Sequence, residues 1–134
     1  MKGLALAMFL LLLPAVCAQN YIYGWVFDAP DGEDANGYEI IAYHPEVGMD
    51  DYVSDIIGPG GLSSAHNQYI IDCEALLNPC SIGDTLNVEV YPQNGHKAGP
   101  VQVTVSGWGI DFPANMTLQR VRPRPKMAYF PIEV

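Results

Sequence analysis

Basic residues are scarce in this chain of 134 residues: six Lys and Arg face fifteen Asp and Glu, a formal net charge of −9 at pH 7. Nucleic-acid binding depends on cations that neutralise phosphates, so this balance argues against a nucleic-acid partner. Four of the six cations cluster near the C-terminus, namely Arg120, Arg122, Arg124 and Lys126. Two interpretations follow: an acidic soluble surface with a basic hinge, or a basic tail attracted to the acidic body of another subunit.

Long apolar runs are limited to one, at residues 4–17. It is shorter than the about 20 residues of a membrane-spanning helix, and small residues close it. We predict residues 1–18 as a secretory signal peptide cut after Ala18. The alternatives are a permanent N-terminal anchor, which needs a longer run, and a lipid-modified Cys17, which needs a different small-residue box. A secreted protein, extracellular or on the cell surface, is therefore expected, with no membrane contact after signal removal.

Cysteine is also scarce, and two of the three residues, Cys73 and Cys80, follow the predicted signal. In an oxidising setting such a pair usually closes, so we predict a Cys73–Cys80 disulfide. Chain entropy assigns this short loop roughly 2.5 kcal/mol of stabilisation. A metal site is the alternative, but six intervening residues without a histidine fit zinc spacing badly.

Sustained helical periodicity is absent, apart from one possible turn at residues 74–77. Instead, short runs of β-branched and aromatic residues alternate with Gly, Pro and Asn turns. We predict strands at residues 20–27, 38–43, 52–57, 68–72, 85–91, 101–105, 116–120 and 127–134. The fifth and sixth, each apolar on one face, should be neighbouring core strands joined through the Asn94-Gly95 turn.

This spacing predicts an all-β fold, an antiparallel immunoglobulin-like sandwich of seven to eight strands. The domain is expected at residues 19–120, followed by a basic Pro-containing linker and C-terminal strand at residues 121–134.

Several strand and turn motifs resemble a known family. They are Gly24-Trp25-Val26-Phe27-Asp28, Asp31-Gly32, Asn36-Gly37, Tyr69-Ile70-Ile71-Asp72, Ile82-Gly83-Asp84-Thr85-Leu86, Gly95, Gly99, Val101-x-Val103-x-Val105 and Asn115-Met116-Thr117-Leu118. This order resembles the carboxypeptidase-regulatory-like modules, which are transthyretin-like or Cna-B-like sandwiches of secreted and surface proteins in archaea and bacteria. The resemblance covers about residues 22–118. It implies a seven-stranded sandwich used as a spacer, stalk or adhesive module, without catalytic residues.

The residues typical of catalysis are not arranged in any motif. A hydrolase needs a nucleophile with a base, or paired carboxylates in a cleft. His44, His66 and His96 are scattered and have no motif context. We therefore predict a protein that is not an enzyme and has no catalytic residues and no cofactor.

Acidic residues crowd one turn, and carboxylates of this kind could hold Ca²⁺. The turn carries Asp28, Asp31, Glu33 and Asp34, and a neighbouring loop could add Asp50, Asp51 and Asp55. The spacing is not that of an EF-hand loop, and a solvated acidic turn is the simpler interpretation. We predict no metal site and keep calcium as the alternative.

Asn115-Met116-Thr117 is the one N-glycosylation sequon in the chain. If Met116 and Leu118 face the core of the predicted strand, Asn115 and Thr117 face solvent. Export would bring the sequon to the glycosylation pathway, so we predict a glycoprotein modified at Asn115.

Four aromatic residues share one side of the first predicted strand. They are Tyr21, Tyr23, Trp25 and Phe27. In the resembled family the Gly-x-Val side, here Gly24 and Val26, points inward, which exposes the four rings. An exposed apolar stripe usually marks a partner or ligand surface. The alternative is a strand covered on both faces within one subunit.

The end of the chain has a second apolar stripe. Pro123 and Pro125 interrupt any continuing strand and act as a stiff spacer. Beyond them Ala128, Phe130, Ile132 and Val134 fall on one face. We predict that this strand completes the sheet of a neighbouring subunit; the alternative is an eighth strand packed on its own domain.

Three functions are weighed on these features. The first is a non-enzymatic structural subunit of an extracellular filament or surface assembly, a homo-oligomer or polymer built by β-strand complementation. The second is a carbohydrate-binding or adhesion module, because aromatic rings stack on sugar faces and acidic residues bind hydroxyls. The third, an enzyme accessory or a small hydrolase, has no positive support in the sequence.

Overall fold

Strands with alternating burial form a sandwich of two sheets in the computed structural model, which describes residues 19–121. The strands are β1 Tyr21–Phe27, β2 Glu39–Tyr43, β3 Tyr52–Ile56, β4 Gln68–Asp72, β5 Thr85–Gln93, β6 His96–Thr104, β7 Ile110–Asp111, β8 Met116–Thr117 and β9 Gln119–Arg120. Two 3₁₀ turns lie at Gly48–Asp50 and Cys73–Ala75. The predicted all-β sandwich is confirmed.

The smaller sheet has the order β4-β1-β7, with β8 pairing the far end of β1. The larger sheet has the order β3-β2-β5-β6-β9. Pairing is antiparallel except that β7 and β8 run parallel to β1. The predicted antiparallel sandwich is thus confirmed, with two short parallel pairings at this one edge, where the chain crosses between sheets after β6 and then follows β1 in the same direction.

The core lies between the sheets and is built from the inner faces of the strands. Ile22 and Val26 of β1 are buried, as are Ile71 of β4 and Val88 of β5. Tyr69 is fully buried against Gly24, and a Cβ built on that glycine would lie 2.6 Å from the Tyr69 Cζ. The Gly-x-Val side of β1 thus points inward, as expected, because only glycine leaves room for the ring.

The predicted hairpin between the fifth and sixth strands is confirmed. Asn94 and Gly95 take positive φ angles of 50° and 72°, as a tight two-residue hairpin turn requires. β6 begins at His96, five residues before its predicted start at Val101. The Gly99-Pro100 pair and the register shifts opposite Val88–Gln93 break the alternation there and hide the strand in the sequence.

The predicted strand at residues 116–120 is split by Leu118. Its first half, β8, pairs with β1 in the smaller sheet, and its second half, β9, pairs with β6 in the larger sheet. Leu118 is fully buried, and its N–H donates to the carbonyl of Phe27 at 2.9 Å. One short segment therefore joins the two sheets along their common side.

The Cys73–Cys80 disulfide is present, with a Cα–Cα distance of 5.5 Å. It closes a loop that begins with the 3₁₀ turn Cys73–Ala75, near the single helical turn expected at residues 74–77. The Asp51 carboxylate accepts hydrogen bonds from the N–H groups of Leu77 and Asn78, at 2.8 and 3.0 Å. Both termini predicted from the sequence, the signal at residues 1–18 and the strand at residues 127–134, lie outside the described residues.

Candidate functional site

The outer side of the smaller sheet carries a group of aromatic rings, here called the aromatic face. It consists of Tyr21, Tyr23, Trp25 and Phe27 of β1 together with Phe112. The first three are half-buried and the last two are exposed. The inward position of the Gly-x-Val side is what turns these rings toward solvent.

Three of the rings are in contact with one another. Tyr23 meets Trp25 edge to face at 5.0 Å between centroids, and it meets Phe112 in the same manner at 5.9 Å. Trp25 and Phe112 are nearly parallel, with centroids 6.4 Å apart and an interplanar angle of 19°. These are favourable aromatic geometries, so the rings hold one another in position.

Phe112 is 59% exposed and was not recognised as part of this surface from the sequence. It follows β7, whose two residues are too few to give a strand pattern. The sequence signal available for this surface is the alternation Ile110-Asp111-Phe112. In the fold Asp111 points inward and is buried, so Ile110 and Phe112 point outward and are exposed.

Polar groups border the aromatic face. The Tyr23 hydroxyl donates to the side-chain oxygen of Gln68 on β4, and the Tyr21 hydroxyl donates to that of Gln19. β4 also places Ile70 beside Tyr23 and Asp72 beside Tyr21. These hydrogen bonds fix the positions of the rings, and amide and carboxylate groups border them. Such a surface can stack on a sugar ring or pack against an apolar surface of another protein.

Trp108 is the most exposed large apolar residue of the described chain, at 89%. It lies between Gly107 and Gly109, both with positive φ, in the loop that connects β6 to β7. The Ser106 N–H donates to the Asp111 carboxylate at 3.1 Å, and the Tyr21 N–H donates to the Gly109 carbonyl at 2.9 Å. A loop anchored at both ends thus presents Trp108 near the Tyr21 end of β1.

The sequon lies at the other end of the aromatic face. Thr117 is paired with Phe27, Met116 is buried and Asn115 is exposed. The alternation expected for this strand is correct, and the side chain of Asn115 is accessible. Its glycosylation stays a prediction.

The larger sheet has an edge that is only partly paired. β9 pairs with β6 at His96 and Lys97, and in residues 19–121 no strand pairs with positions 98–104 on that side. The Val121 N–H donates to the Gly95 carbonyl at 2.7 Å. From Gln119 to Val121 the chain therefore runs toward the hairpin end, away from the unpaired part of β6.

The acidic turn uses its carboxylates locally. Asp28 accepts a hydrogen bond from the Ala35 N–H at 3.0 Å, and Asp34 accepts one from the Asn36 N–H at 2.8 Å. That N–H is the main reason why the pKa of Asp34 is lowered. Within the described ranges no group of three or more His, Cys, Asp or Glu residues could hold a metal ion. Asp28 and Asp34 thus bind backbone N–H groups of their own turn, and the choice between a solvated turn and a calcium site stays a prediction.

The three histidines lie in different surroundings. His96 Nε2 is 2.7 Å from a carboxylate oxygen of Asp31, whereas His44 Nε2 is 3.0 Å from the Asn78 carbonyl and His66 is exposed. The hydrogen bond with Asp31 raises the pKa of His96, and the same bond lowers the pKa of Asp31. The His96–Asp31 pair ties the acidic turn to the start of β6.

No protein-family model, curated protein or solved structure matches this chain. In the part of the chain that the structure describes, no helix has the length and apolarity to cross a membrane. Function is therefore inferred from the sandwich and its surfaces alone.

Proposed function

We propose that this chain is a secreted, non-enzymatic structural protein, a subunit of an extracellular filament or surface assembly built by β-strand complementation. The observation that carries this proposal is the edge of β6, which β9 pairs only at its first two residues within the described chain. An unpaired strand edge is a template for a strand of another chain.

The direction of β9 favours donation to a second subunit. β9 is antiparallel to β6 and runs past His96 toward Gly95. To pair with residues 98–104 of its own β6, the chain would have to leave the sheet and reverse its direction. The same edge of another copy needs no such reversal.

The donated strand would be residues 127–134. Burying Phe130, Ile132 and Val134 would contribute roughly 5 to 8 kcal/mol before ordering costs, and edge hydrogen bonds would add to this. Pro100 in β6 and Pro131 in the tail each lack an N–H, so the ladder would be incomplete at those positions.

The charge distribution also supports a contact between the tail of one subunit and the body of the next. Every acidic residue except Glu133 lies in residues 19–121, where Lys97 and Arg120 are the cations. The tail brings Arg122, Arg124 and Lys126 to such an acidic surface. A contact between two different patches of identical subunits propagates into a polymer unless it closes into a ring.

The test compares full-length chains from Gln19 that differ only in the tail. Phe130→Asp with Ile132→Asp places two charges on the apolar face of the donor strand, and we expect monomers by light scattering. Glu133→Gln, on the opposite face of the same segment, is the matched control and should assemble like the unaltered protein. Assembly of the Phe130→Asp/Ile132→Asp variant to the normal mass would contradict strand donation.

The aromatic face favours a second candidate, a carbohydrate-binding or adhesion module. Contacting rings beside amide and carboxylate groups are typical of surfaces that stack on sugars. Retention on neutral polysaccharide gels should be lost in Trp25→Ala and kept in Leu62→Ala, an exposed apolar position in the loop between β3 and β4. Equal migration of all three proteins in every gel would remove this candidate.

A further inference from the structure

The outer side of the larger sheet carries a groove of about 410 Å³, lined by Glu39, Met49, Tyr52 and Tyr91 and here called the tyrosine groove. Strand register sets its two ends. β2 and β5 pair Ile40 with Val90, which puts Glu39 beside Tyr91 at one end. β2 and β3 pair Tyr43 with Tyr52 at the other end. The four residue steps of β2 between these ends span about 13 Å.

The groove is aromatic and acidic. Tyr52 and Tyr91 are each 49% exposed, and Met49 is exposed beside Asp50. Glu39 supplies a carboxylate within the groove, and Glu89 lies between its two ends on β5, where it accepts a hydrogen bond from the Tyr43 hydroxyl at 3.0 Å. The cations of residues 19–121, Lys97 and Arg120, belong to β6 and β9 and not to the strands that line the groove.

Such a combination selects a cationic, proline-rich ligand. Tyrosine rings attract Arg and Lys through their π faces, and carboxylates add charge-assisted hydrogen bonds. Aromatic grooves also bind polyproline II segments, which lose little entropy because their conformation exists before binding.

We propose that the tyrosine groove of one subunit binds the segment Arg122-Pro123-Arg124-Pro125-Lys126 of a second subunit. Alternating prolines favour the polyproline II conformation, in which the four residue steps from Arg122 to Lys126 span about 12 Å. This length matches the about 13 Å between the ends of the groove. Three residues per turn distribute the cations around the segment, so prolines can rest on the rings while cations reach the carboxylates.

Spacing favours a second copy over the chain's own tail. Val121 is held at Gly95 beside β9, which is two strands from β5 in the larger sheet, or about 10 Å. Crossing that distance uses about three residues at 3.1 Å each, so the chain's own tail would lay only part of the segment in the groove. A tail from another copy can lay down all five residues.

This inference rests on the proposed function and assigns the tyrosine groove as the surface that binds residues 122–126 of the neighbouring subunit. The first residues of 127–134 of the same tail would cross the two strands from β2 to β6, about 10 Å, and the rest would pair along the edge of β6 in the same sheet. Linker and strand would then hold one neighbour together, and losing either contact would weaken assembly.

Charge reversal in the full-length chain from Gln19 tests the groove. Glu39→Lys and Arg124→Glu should each raise the concentration needed for assembly, measured by sedimentation, by roughly tenfold, as expected for a hot-spot contact. A mixture of the two variants should recover part of the loss, because the glutamate tail of one then meets the lysine groove of the other. Failure of the mixture to recover any assembly would contradict docking between subunits.

Tyr52→Ala with Tyr91→Ala removes the rings, and Ser54→Ala, an exposed position on β3, is the control. The concentration that the double variant needs for assembly should rise by a similar factor, while its melting temperature should equal that of the control. Glu39→Gln, which keeps the shape of the side chain, should show a smaller loss that disappears at high salt. An unaltered protein that stays monomeric at every concentration would overturn the proposed function, whereas normal assembly of all groove variants would overturn only the groove.

Discussion

The two side edges of the sandwich differ in how their backbone groups are satisfied. On one side Asp55 of β3 accepts hydrogen bonds from the Leu62 and Ile70 N–H groups, at 3.0 and 2.9 Å, and so bridges β3 to β4. On the other side, within residues 19–121, the edge of β6 that faces away from β5 has a strand partner, β9, only at His96 and Lys97. A buried carboxylate thus covers one edge, whereas on the other edge the described residues pair only the first two positions of β6.

Asp55→Ala should have the largest effect on stability. The substitution leaves two amide N–H groups without their acceptor at a buried position, and we expect a loss of about 2–4 kcal/mol in the free energy of unfolding by urea. Asp55→Asn keeps one carbonyl acceptor and should lose about half as much. Equal stability of all three proteins would mean that the bridge does not protect this edge.

Removing the disulfide should cost slightly less. Cys73→Ser with Cys80→Ser releases a short loop, and the chain-entropy model gives about 2.5 kcal/mol. Thiol titration of the denatured chain from Gln19, which lacks Cys17, should find no free thiol. Two reactive thiols in that titration would contradict the closed bond.

A matched pair of lysines distinguishes the two edges directly. Val101 on β6 and Val53 on β3 are both partly buried against the core, so lysine at either position should cost about 1 kcal/mol in urea unfolding. An inward lysine on an edge strand opposes pairing with another chain. Light scattering should show impaired assembly for Val101→Lys and normal assembly for Val53→Lys. The reverse pattern would assign the assembly contact to the β3 edge.

The smallest effect is the pH dependence from the His96–Asp31 pair at the start of the β6 edge. Because the pKa of His96 is raised above 6.5, its stabilising contribution is complete below 6.5 and is lost as pH rises through the folded value. Because the pKa of Asp31 is lowered below 3.8, its contribution is present above 3.8 and is lost as pH falls through the folded value.

The pair should therefore contribute most between about pH 4 and 6.5. Melting temperatures measured from pH 3 to 9 should be less dependent on pH in His96→Gln than in the unaltered protein. Identical pH profiles would show that the pair does not contribute to stability.

Much of the fold follows from local patterns. Alternation in β5 predicted its inward face, and Asn94-Gly95 predicted the hairpin, because both depend on the geometry of adjacent residues. β7 and the split at Leu118 were missed, because two-residue pairings depend on where β1 and β6 lie in space. The inward β1 residues were predicted through the family resemblance, and the packing of Tyr69 on Gly24 supplies their physical reason.

The candidate surfaces also combine features that follow from local sequence patterns with features that depend on long-range contacts. Tyr23 and Trp25 were found from strand alternation, whereas their contact with Phe112 brings together residues separated by nearly ninety positions. Asp51 and Asp55 were predicted as possible calcium ligands from a loop near the acidic turn. In the fold Asp55 accepts a hydrogen bond from the Ile70 N–H of β4, and Asp51 accepts one from the Leu77 N–H of the disulfide loop. Neither role has a signal in the sequence, because each carboxylate binds backbone N–H groups that only folding brings near.

By itself the sequence determined the all-β class, the disulfide partners, the grouping of four aromatic residues on one side of β1 and the separation of an acidic body from a basic tail. These properties depend on composition, spacing and the two-residue period of a strand. Tertiary structure alone decided which edge Asp55 closes, where β9 leaves β6 and how Glu39 and Tyr91 come to share a groove. Each of these depends on strand order and register, which arise from long-range pairing and burial and not from neighbouring residues.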